Sequence, residues 1–260
     1  MRTLMTEFTS REVGRYQTEG GDVAIVPVGS VEPLAAYLPV GARTFVVEAF
    51  AHLLADAACG LRLPVISLTS ARAPRRGRGA VDVPGGALRQ YVRAVLDDLY
   101  ATAFRRIMLV AYDDYLRYYL PHEFYEDHHA AVAGLHMGEL LHRACRERGI
   151  AEDAVALGAM DVLGRGDLVT KCLDAWERGR VTAGATIPED VNALRSVGSV
   201  GAWRTLADCD LASAERPDAT AGRVLLEDEA AKRAAAFADL RTYNEFLSRR
   251  TDRGMTRGKR

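Results

Sequence analysis

The 260-residue chain has few cysteines, and their spacing excludes two kinds of cysteine chemistry. The four are Cys59, Cys145, Cys172 and Cys209, and no two of them form a CxxC pair. Structural zinc sites need closely spaced ligand pairs, and disulfide frameworks belong mainly to small secreted domains. The cysteines therefore predict isolated reduced thiols, a cytoplasmic location and no cysteine-based zinc site.

Long apolar runs and a strong charge of one sign are also missing. No stretch approaches the roughly 20 apolar residues of a membrane-spanning helix, and the formal net charge is -1. The first residues contain acids and no apolar run of signal-peptide length. We therefore expect no membrane and no nucleic-acid partner.

Two motifs of well-known enzyme classes are absent as well. The glycine-rich GRGA at 77–80 lacks the Lys-Ser/Thr pair that completes a phosphate-binding loop. No Gly-x-Ser-x-Gly nucleophile turn occurs, which disfavours an α/β-hydrolase. The sequence thus predicts neither nucleotide binding nor any other cofactor.

What the chain does have is an alternation of apolar runs and helical patterns. Strands are predicted at 22–29, 61–69, 105–112 and 154–163, and helices at 44–60, 87–104, 130–149 and 219–249. Such alternation is typical of a three-layer α/β/α fold with a mainly parallel central sheet. We predict one domain over residues 1–249 and a basic, disordered tail over 250–260.

The loop after the first strand has the frame of a functional site. Residues 27–44 read PVGSVEPLAAYLPVGART, an irregular turn with two prolines that restarts at Gly41. In parallel sheets, sites lie at the carboxyl ends of the strands. This loop and the segment AYDD at 111–114 are therefore expected at the same edge.

These residues resemble the creatininase (creatinine amidohydrolase) family, whose signature there reads approximately P-x-G-S-x-E-Q-H-G-x-H-L-P-x-G-T-D-T. Three further segments resemble family segments in the same order, GAVDV (79–83), FRRIMLV (104–110) and PDATAGRVLLEDEA (217–230). The resemblance implies a three-layer α/β/α fold, usually assembled into hexamers. It also implies an activity that hydrolyses or closes cyclic amides and related C–N bonds at a two-metal centre.

The metal ligands that the resemblance implies are mostly replaced in the first loop. Glu32 matches the family's first carboxylate, but Leu34 and Tyr37 stand where two histidines are expected. Arg43 stands at the position of the metal-bridging aspartate. Leucine cannot bind a metal, and arginine cannot be deprotonated to do so.

The later ligands are replaced too. Asp113 stands where the family has the histidine of Asn-Gly-His-Gly-Gly-Asn. The family's His-Ala-Gly-Glu-x-Glu-Thr-Ser motif aligns with 182–189, where Thr182 replaces histidine and Ile187 replaces an acid. We therefore predict that the two-metal centre is lost and that no residue of the chain binds a metal.

Loss of the metals would leave Glu32 without a counter-ion, and Arg43 could supply one. We predict that its guanidinium pairs with Glu32, Asp113 or both, about where the metal charge lay. The alternative is that Arg43 points to solvent while Glu32 accepts hydrogen bonds from nearby backbone N–H groups.

The segment 111–129 is rich in tyrosine, histidine and acids and follows the third strand directly. Aromatic walls suit a small planar molecule, which makes Tyr37, Tyr112, Asp114, Tyr115 and His122 candidate substrate-binding residues. A surface loop with a helix start explains the same composition. A new metal site from His122, Glu126 and His129 is a third interpretation, since helical spacing would bring them together.

Three functions follow from these patterns. The first is a metal-independent small-molecule enzyme acting at an amide-type C–N bond, with Glu32 or Asp113 as base and Arg43 as stabiliser. The second is a non-catalytic binding or scaffolding subunit, in a homo-oligomer or together with an active relative. The third is a metal-dependent amidohydrolase with relocated ligands.

Overall fold

The computed structural model describes residues 2–68, 79–112, 114–182 and 215–257. Its sheet contains the strands β1 (Val23–Val28), β2 (Leu61–Arg62), β3 (Arg106–Ala111) and β4 (Ala133–His136). Their order is β2-β1-β3-β4, and every neighbouring pair is parallel. The predicted parallel sheet is therefore confirmed.

Helices follow the strands and complete the chain. They are α1 (Ser10–Thr18), α2 (Ala42–Ala57), α3 (Gly85–Ala101), α4 (Asp114–His128), α5 (Met137–Arg148), α6 (Glu152–Val162), α7 (Gly166–Thr182), α8 (Ala219–Ala234) and α9 (Ala236–Arg257). Local sequence sets several of their ends. Thr9 and Glu12 form a capping box at α1, and Gly149 ends α5 with a left-handed φ of 65°.

The sheet separates two apolar cores, because side chains alternate between its faces. Val23 and Ile25 of β1 belong to a core that they share with buried residues of α2, α5, α6 and α8. Ala24, Val26 and Val28 belong to the opposite core, which they share with α3 and α4. The three-layer α/β/α architecture is thus confirmed.

One predicted strand is wrong, and so is part of one predicted helix. Residues 154–163 belong mostly to the helix α6, while the fourth strand, Ala133–His136, lies inside the predicted helix 130–149. Every residue from Ala154 to Met160 is buried. A helix that is apolar on all sides has no polar face, and its sequence therefore resembles a buried strand.

Other element boundaries also differ from prediction. The strand expected at 61–69 pairs regularly at Leu61–Arg62. Beyond it, Leu63 and Ile66 still donate to carbonyls of β1, and an isolated bridge joins Ile66 to Val28. The long final helix divides into α8 and α9. Helix α9 runs to Arg257, into the tail predicted to be disordered, and residues 258–260 lie outside the described part of the chain.

Two glycines let α6 and α8 cross closely. A Cβ atom on Gly222 of α8 would lie 2.0 Å from the carbonyl oxygen of Ala154 in α6. One on Gly158 of α6 would lie 2.2 Å from the backbone nitrogen of Arg223. This contact packs α6 directly on α8, and α6 begins next to the candidate site.

In the described part of the chain, no helix is both long enough and apolar enough to cross a membrane.

Candidate functional site

The carboxyl ends of three strands meet at one edge of the sheet. Val28 of β1 pairs with Ala111 of β3, which in turn pairs with His136 of β4. The loop containing Glu32, the residue Tyr112 and the start of α5 therefore begin side by side. Sites of open parallel sheets lie at this edge.

The centre of this edge is a buried ion pair. Arg43, in the first turn of α2, donates from Nη1 to Oε1 of Glu32 at 2.6 Å, and the two side chains are only 11% and 6% exposed. The hydroxyl of Ser30 donates to the same oxygen at 3.3 Å. The predicted pairing of Arg43 with Glu32 is confirmed, whereas Asp113 lies outside the described residues.

Backbone contacts fix the Glu32 loop on α2. The Thr44 hydroxyl donates to the carbonyl of Ser30 at 2.8 Å. A Cβ atom on Gly29 would lie 2.6 Å from that hydroxyl oxygen and 2.7 Å from the Thr44 Cα. Glycine at position 29 therefore allows the loop to approach the helix that carries Arg43.

Tyr112 lies beside the guanidinium of Arg43. The Arg43 Cζ is 5.2 Å from the centre of the Tyr112 ring, within the range of a cation–π contact. Burial raises the pKa of Tyr112 above its usual value, and the positive charge of Arg43 offsets this only in part. Tyr112 is therefore a neutral phenol at physiological pH.

His136 and Glu139 extend the edge past Tyr112. The Nδ1 of His136 accepts a hydrogen bond from the Glu139 backbone N–H at 2.9 Å and caps α5. A Cβ atom on Gly138 would lie 3.0 Å from the His136 ring and 3.4 Å from the Tyr112 ring. Both rings therefore pack close to Gly138.

Tyr37 joins the Glu32 loop to α6. Its hydroxyl donates to Oδ2 of Asp153 at 2.5 Å, and Oδ1 of Asp153 accepts from the Ala154 N–H at 2.8 Å. Burial and, next, this hydrogen bond raise the pKa of Tyr37 well above its usual value. The hydroxyl that we predicted to bind substrate is engaged by Asp153.

The thiols near this edge are not nucleophiles at neutral pH. Burial, and then the charges of Glu152 and Asp153, raise the pKa of Cys145 to about 12. Burial also raises the pKa of Cys172. Because the thiolate is the reactive form, neither thiol would attack a substrate under physiological conditions.

The remaining predicted residues are less closely tied to this edge. The side chains of Asp114 and Tyr115, at the start of α4, lie outside the description, as do residues 183–189. His122 is 71% exposed on α4, and its Nδ1 is 4.0 Å from Oε1 of Glu126. No group of three or more His, Cys, Asp or Glu residues within 2–68, 79–112, 114–182 and 215–257 is placed to hold a metal.

His136 and Glu139 lie at this edge, although the sequence pattern predicted only a structural or exposed role for His136 and none for Glu139. His136-Met137-Gly138-Glu139 matches three of the first four positions of His-Ala-Gly-Glu, whereas 182–189 matches only Ala183 and Gly184. This match would have pointed to the end of a strand. It was missed because the segment was assigned to a helix.

The residues at this edge do not fit a two-metal centre. Oε1 of Glu32 accepts a hydrogen bond from the guanidinium of Arg43 and is not available to a metal. Arg43 carries a permanent positive charge and has no lone pair for a metal. Leu34 is partly buried against the apolar core and likewise offers no ligand.

The family model described as creatinine amidohydrolase matches residues 6–112. A crystal structure of creatinine amidohydrolase (creatininase) has 17% identity and a TM-score of 0.68, and the alignment covers 91% of this chain and 97% of that one. A glutamate-to-glutamine creatininase mutant of the Zn-Zn type has 18% identity and a TM-score of 0.66, and the alignment covers 92% of this chain and 98% of that one. A putative creatinine amidohydrolase from Bacteroides fragilis has 14% identity and a TM-score of 0.63, and the alignment covers 92% of this chain and 97% of that one.

Other alignments are shorter. A tryptophan-to-alanine creatininase mutant has a TM-score of 0.50 at 15% identity, and the alignment covers 54% of this chain and 60% of that structure. No curated protein matches the chain. Residues 6–112 thus match the creatininase family model, and the chain has the fold of these creatininase structures over 91–92% of its length.

Proposed function

We propose that the chain is a metal-independent enzyme that acts on a small molecule at an amide-type C–N bond, at the edge formed by Glu32, Arg43 and Tyr112. The observation that carries the proposal is the buried 2.6 Å ion pair between Arg43 and Glu32. It places a fixed positive charge beside a carboxylate in a largely dry site, where such groups act most strongly.

Arg43 is suited to stabilise an oxyanion. Its Nη1 is held by Glu32 and its guanidinium lies by the Tyr112 ring, so its orientation is fixed. Its Nε–H is buried and has no hydrogen-bond partner among the described residues. A buried donor without a partner costs about 1–3 kcal/mol, and a substrate carbonyl oxygen would supply the missing acceptor.

Glu32 is suited to act as the base. Both of its described hydrogen bonds, from Arg43 and Ser30, end on Oε1. Oε2 is therefore the oxygen that would take a proton from a water attacking the carbonyl carbon. When the C–N bond breaks, that proton would pass to the leaving nitrogen. Asp113 remains a second candidate base by its place after β3.

Turnover by metal-free protein tests this function. The chain, treated with EDTA and desalted, would be incubated with a panel of cyclic and linear amides, imides and amidines, with products detected by mass spectrometry. We expect turnover that EDTA leaves unchanged and that E32Q and R43Q abolish. R241Q, which alters an ion pair that is more than half exposed, is the matched control. Turnover restored only by added metal would contradict metal independence.

A non-catalytic subunit is the second candidate. It is favoured by the apolar part of the loop, because Ala35 and Leu38 are buried in the core and Leu34 packs against it. Such a chain would act in a homo-oligomer, a hexamer by family resemblance, or beside an active relative. Absence of turnover across the panel, together with a stable oligomer in light scattering, would favour this candidate.

A further inference from the structure

The charges around Arg43 are mainly negative. Glu32 is bound to it, and Glu32 and Glu152 both act electrostatically on the neighbouring Tyr112. Asp153 and Glu152 act on the nearby thiol of Cys145. Arg43 is the positive charge that touches both Glu32 and the Tyr112 ring.

Arg43 also occupies one of the two carboxylate oxygens through which Glu32 could bind a metal. A divalent ion binds carboxylate oxygens at about 2.0–2.6 Å. The Arg43 Nη1 lies 2.6 Å from Oε1 of Glu32, so both cannot use that oxygen. The guanidinium charge would also repel the ion, and it cannot be removed by deprotonation.

From this geometry we propose that Arg43 is a built-in cation that excludes divalent metals from the site. Replacing it by an acid would create a divalent-cation site on Glu32. This inference deepens the proposed function, whose metal independence it explains, but it concerns binding alone. The charge at position 43 would then decide whether the inherited edge holds a metal.

At position 43 the resemblance implies a metal-bridging aspartate, and this chain has an arginine. A creatininase of the Zn-Zn type shares the fold over 92% of this chain. Glu32, in the loop after β1, and His136, at the end of β4, lie at the same sheet edge and carry carboxylate and imidazole groups. Such groups are the usual zinc ligands.

The experiment compares zinc binding by the wild-type chain, R43D, R43N and E32Q/R43D. Each protein is exposed to ZnCl₂, desalted, and measured by elemental mass spectrometry and calorimetric titration without substrate. We expect wild type to retain less than about 0.1 zinc per chain and R43D about one, with the gain lost in E32Q/R43D. The asparagine of R43N has nearly the same size as the aspartate of R43D but carries no charge. R43N therefore shows the effect of removing the guanidinium without adding a carboxylate ligand.

Three results would overturn the proposal: one zinc retained by wild type, a folded R43D that binds no more zinc than wild type, or binding that survives E32Q. If R43D does not fold, zinc binding by R43N becomes the test of the proposal. We expect zinc to raise its melting temperature by about 5 °C or more, with no such rise for wild type. No rise in R43N would overturn the proposal. Because substrate is not involved, failure of the amide panel leaves this test unaffected.

Discussion

Loss of the Arg43 side-chain charge should destabilise the fold by several kcal/mol. In R43M the long apolar stem is kept, but Glu32, only 6% exposed, loses the guanidinium at 2.6 Å. Breaking a buried ion pair by removing one partner costs roughly 3–5 kcal/mol, because the other charge remains buried. Since Ser30 still donates to Glu32, we expect the low end, about 3 kcal/mol. For a chain of this size, that loss would lower the melting temperature by roughly 6–12 °C.

A double-mutant cycle separates the pair from the packing of the Arg43 stem. E32Q removes the buried negative charge, so R43M/E32Q should lose less stability than the sum of the single changes, by about 2 kcal/mol. The control is R241M, since Arg241 and Glu245 are 59% and 53% exposed at 3.3 Å. An exposed pair is worth about 0–1 kcal/mol.

Urea denaturation followed by circular dichroism measures all four free energies of unfolding. The reasoning would be refuted if R43M cost no more than R241M, or if the two changes were additive. Either result would mean that Glu32 is well solvated in solution, and the argument for a dry, preorganised site would fall with it.

Three further predictions concern the parts of the fold that support this edge. Y37F should lower the free energy of unfolding, measured in urea, by about 1.5–3 kcal/mol, because the Asp153 carboxylate loses its donor at 2.5 Å. Y243F is the control, at a tyrosine that is 49% exposed, and should change this free energy very little. Equal losses in the two variants would be evidence against the Tyr37–Asp153 contact. Burial raises the pKa values of Tyr16, Tyr37 and Tyr112, so above pH 10 the unfolded chain releases protons that the folded chain keeps. Stability should be unaffected by these groups below pH 10 and fall above it, by at most about 1.4 kcal/mol per pH unit for each tyrosine, and Y37F should reduce the slope of the unfolding free energy between pH 10 and 11. G222A should destabilise the fold by about 1–3 kcal/mol or more, since its Cβ would lie 2.0 Å from the Ala154 carbonyl oxygen. G14A in helix α1 is the control: no atom lies within 4 Å of the added Cβ, so the change should stabilise the fold by about 0.5–1 kcal/mol. A similar effect of both changes on the melting temperature would contradict the close helix crossing.

The strands and helices that the sequence predicted correctly have a polar side or a clear end. Strand β1 is a short apolar run that ends before Gly29, and α3 has buried positions at Leu88, Val92, Leu96 and Leu99. Helix α6 has neither property, because it is covered on all sides. Strand β4 is only four residues long and half-buried, so no local pattern separates it from the helix that follows.

At the site, the sequence predicted the contact that rests on charge. A carboxylate that loses its metal requires a counter-ion, and Arg43 lies eleven residues after Glu32, in the first turn of α2. The contact between Tyr37 and Asp153 spans 116 residues. It could not be predicted, since it depends on where α6 packs relative to the first loop, which no local pattern specifies.

The first loop shows why a family signature can persist around a changed site. Gly29 is required by the contact with Thr44, and the Thr44 hydroxyl binds the Ser30 carbonyl. Leu38 is buried in the core. These matching positions thus hold the loop on α2, and folding alone gives reason to keep them. Arg43 is a differing position, and its side chain contacts Glu32 and the Tyr112 ring at the sheet edge. A match over residues 27–44 therefore reports the fold, while the chemistry must be read from the charge at position 43.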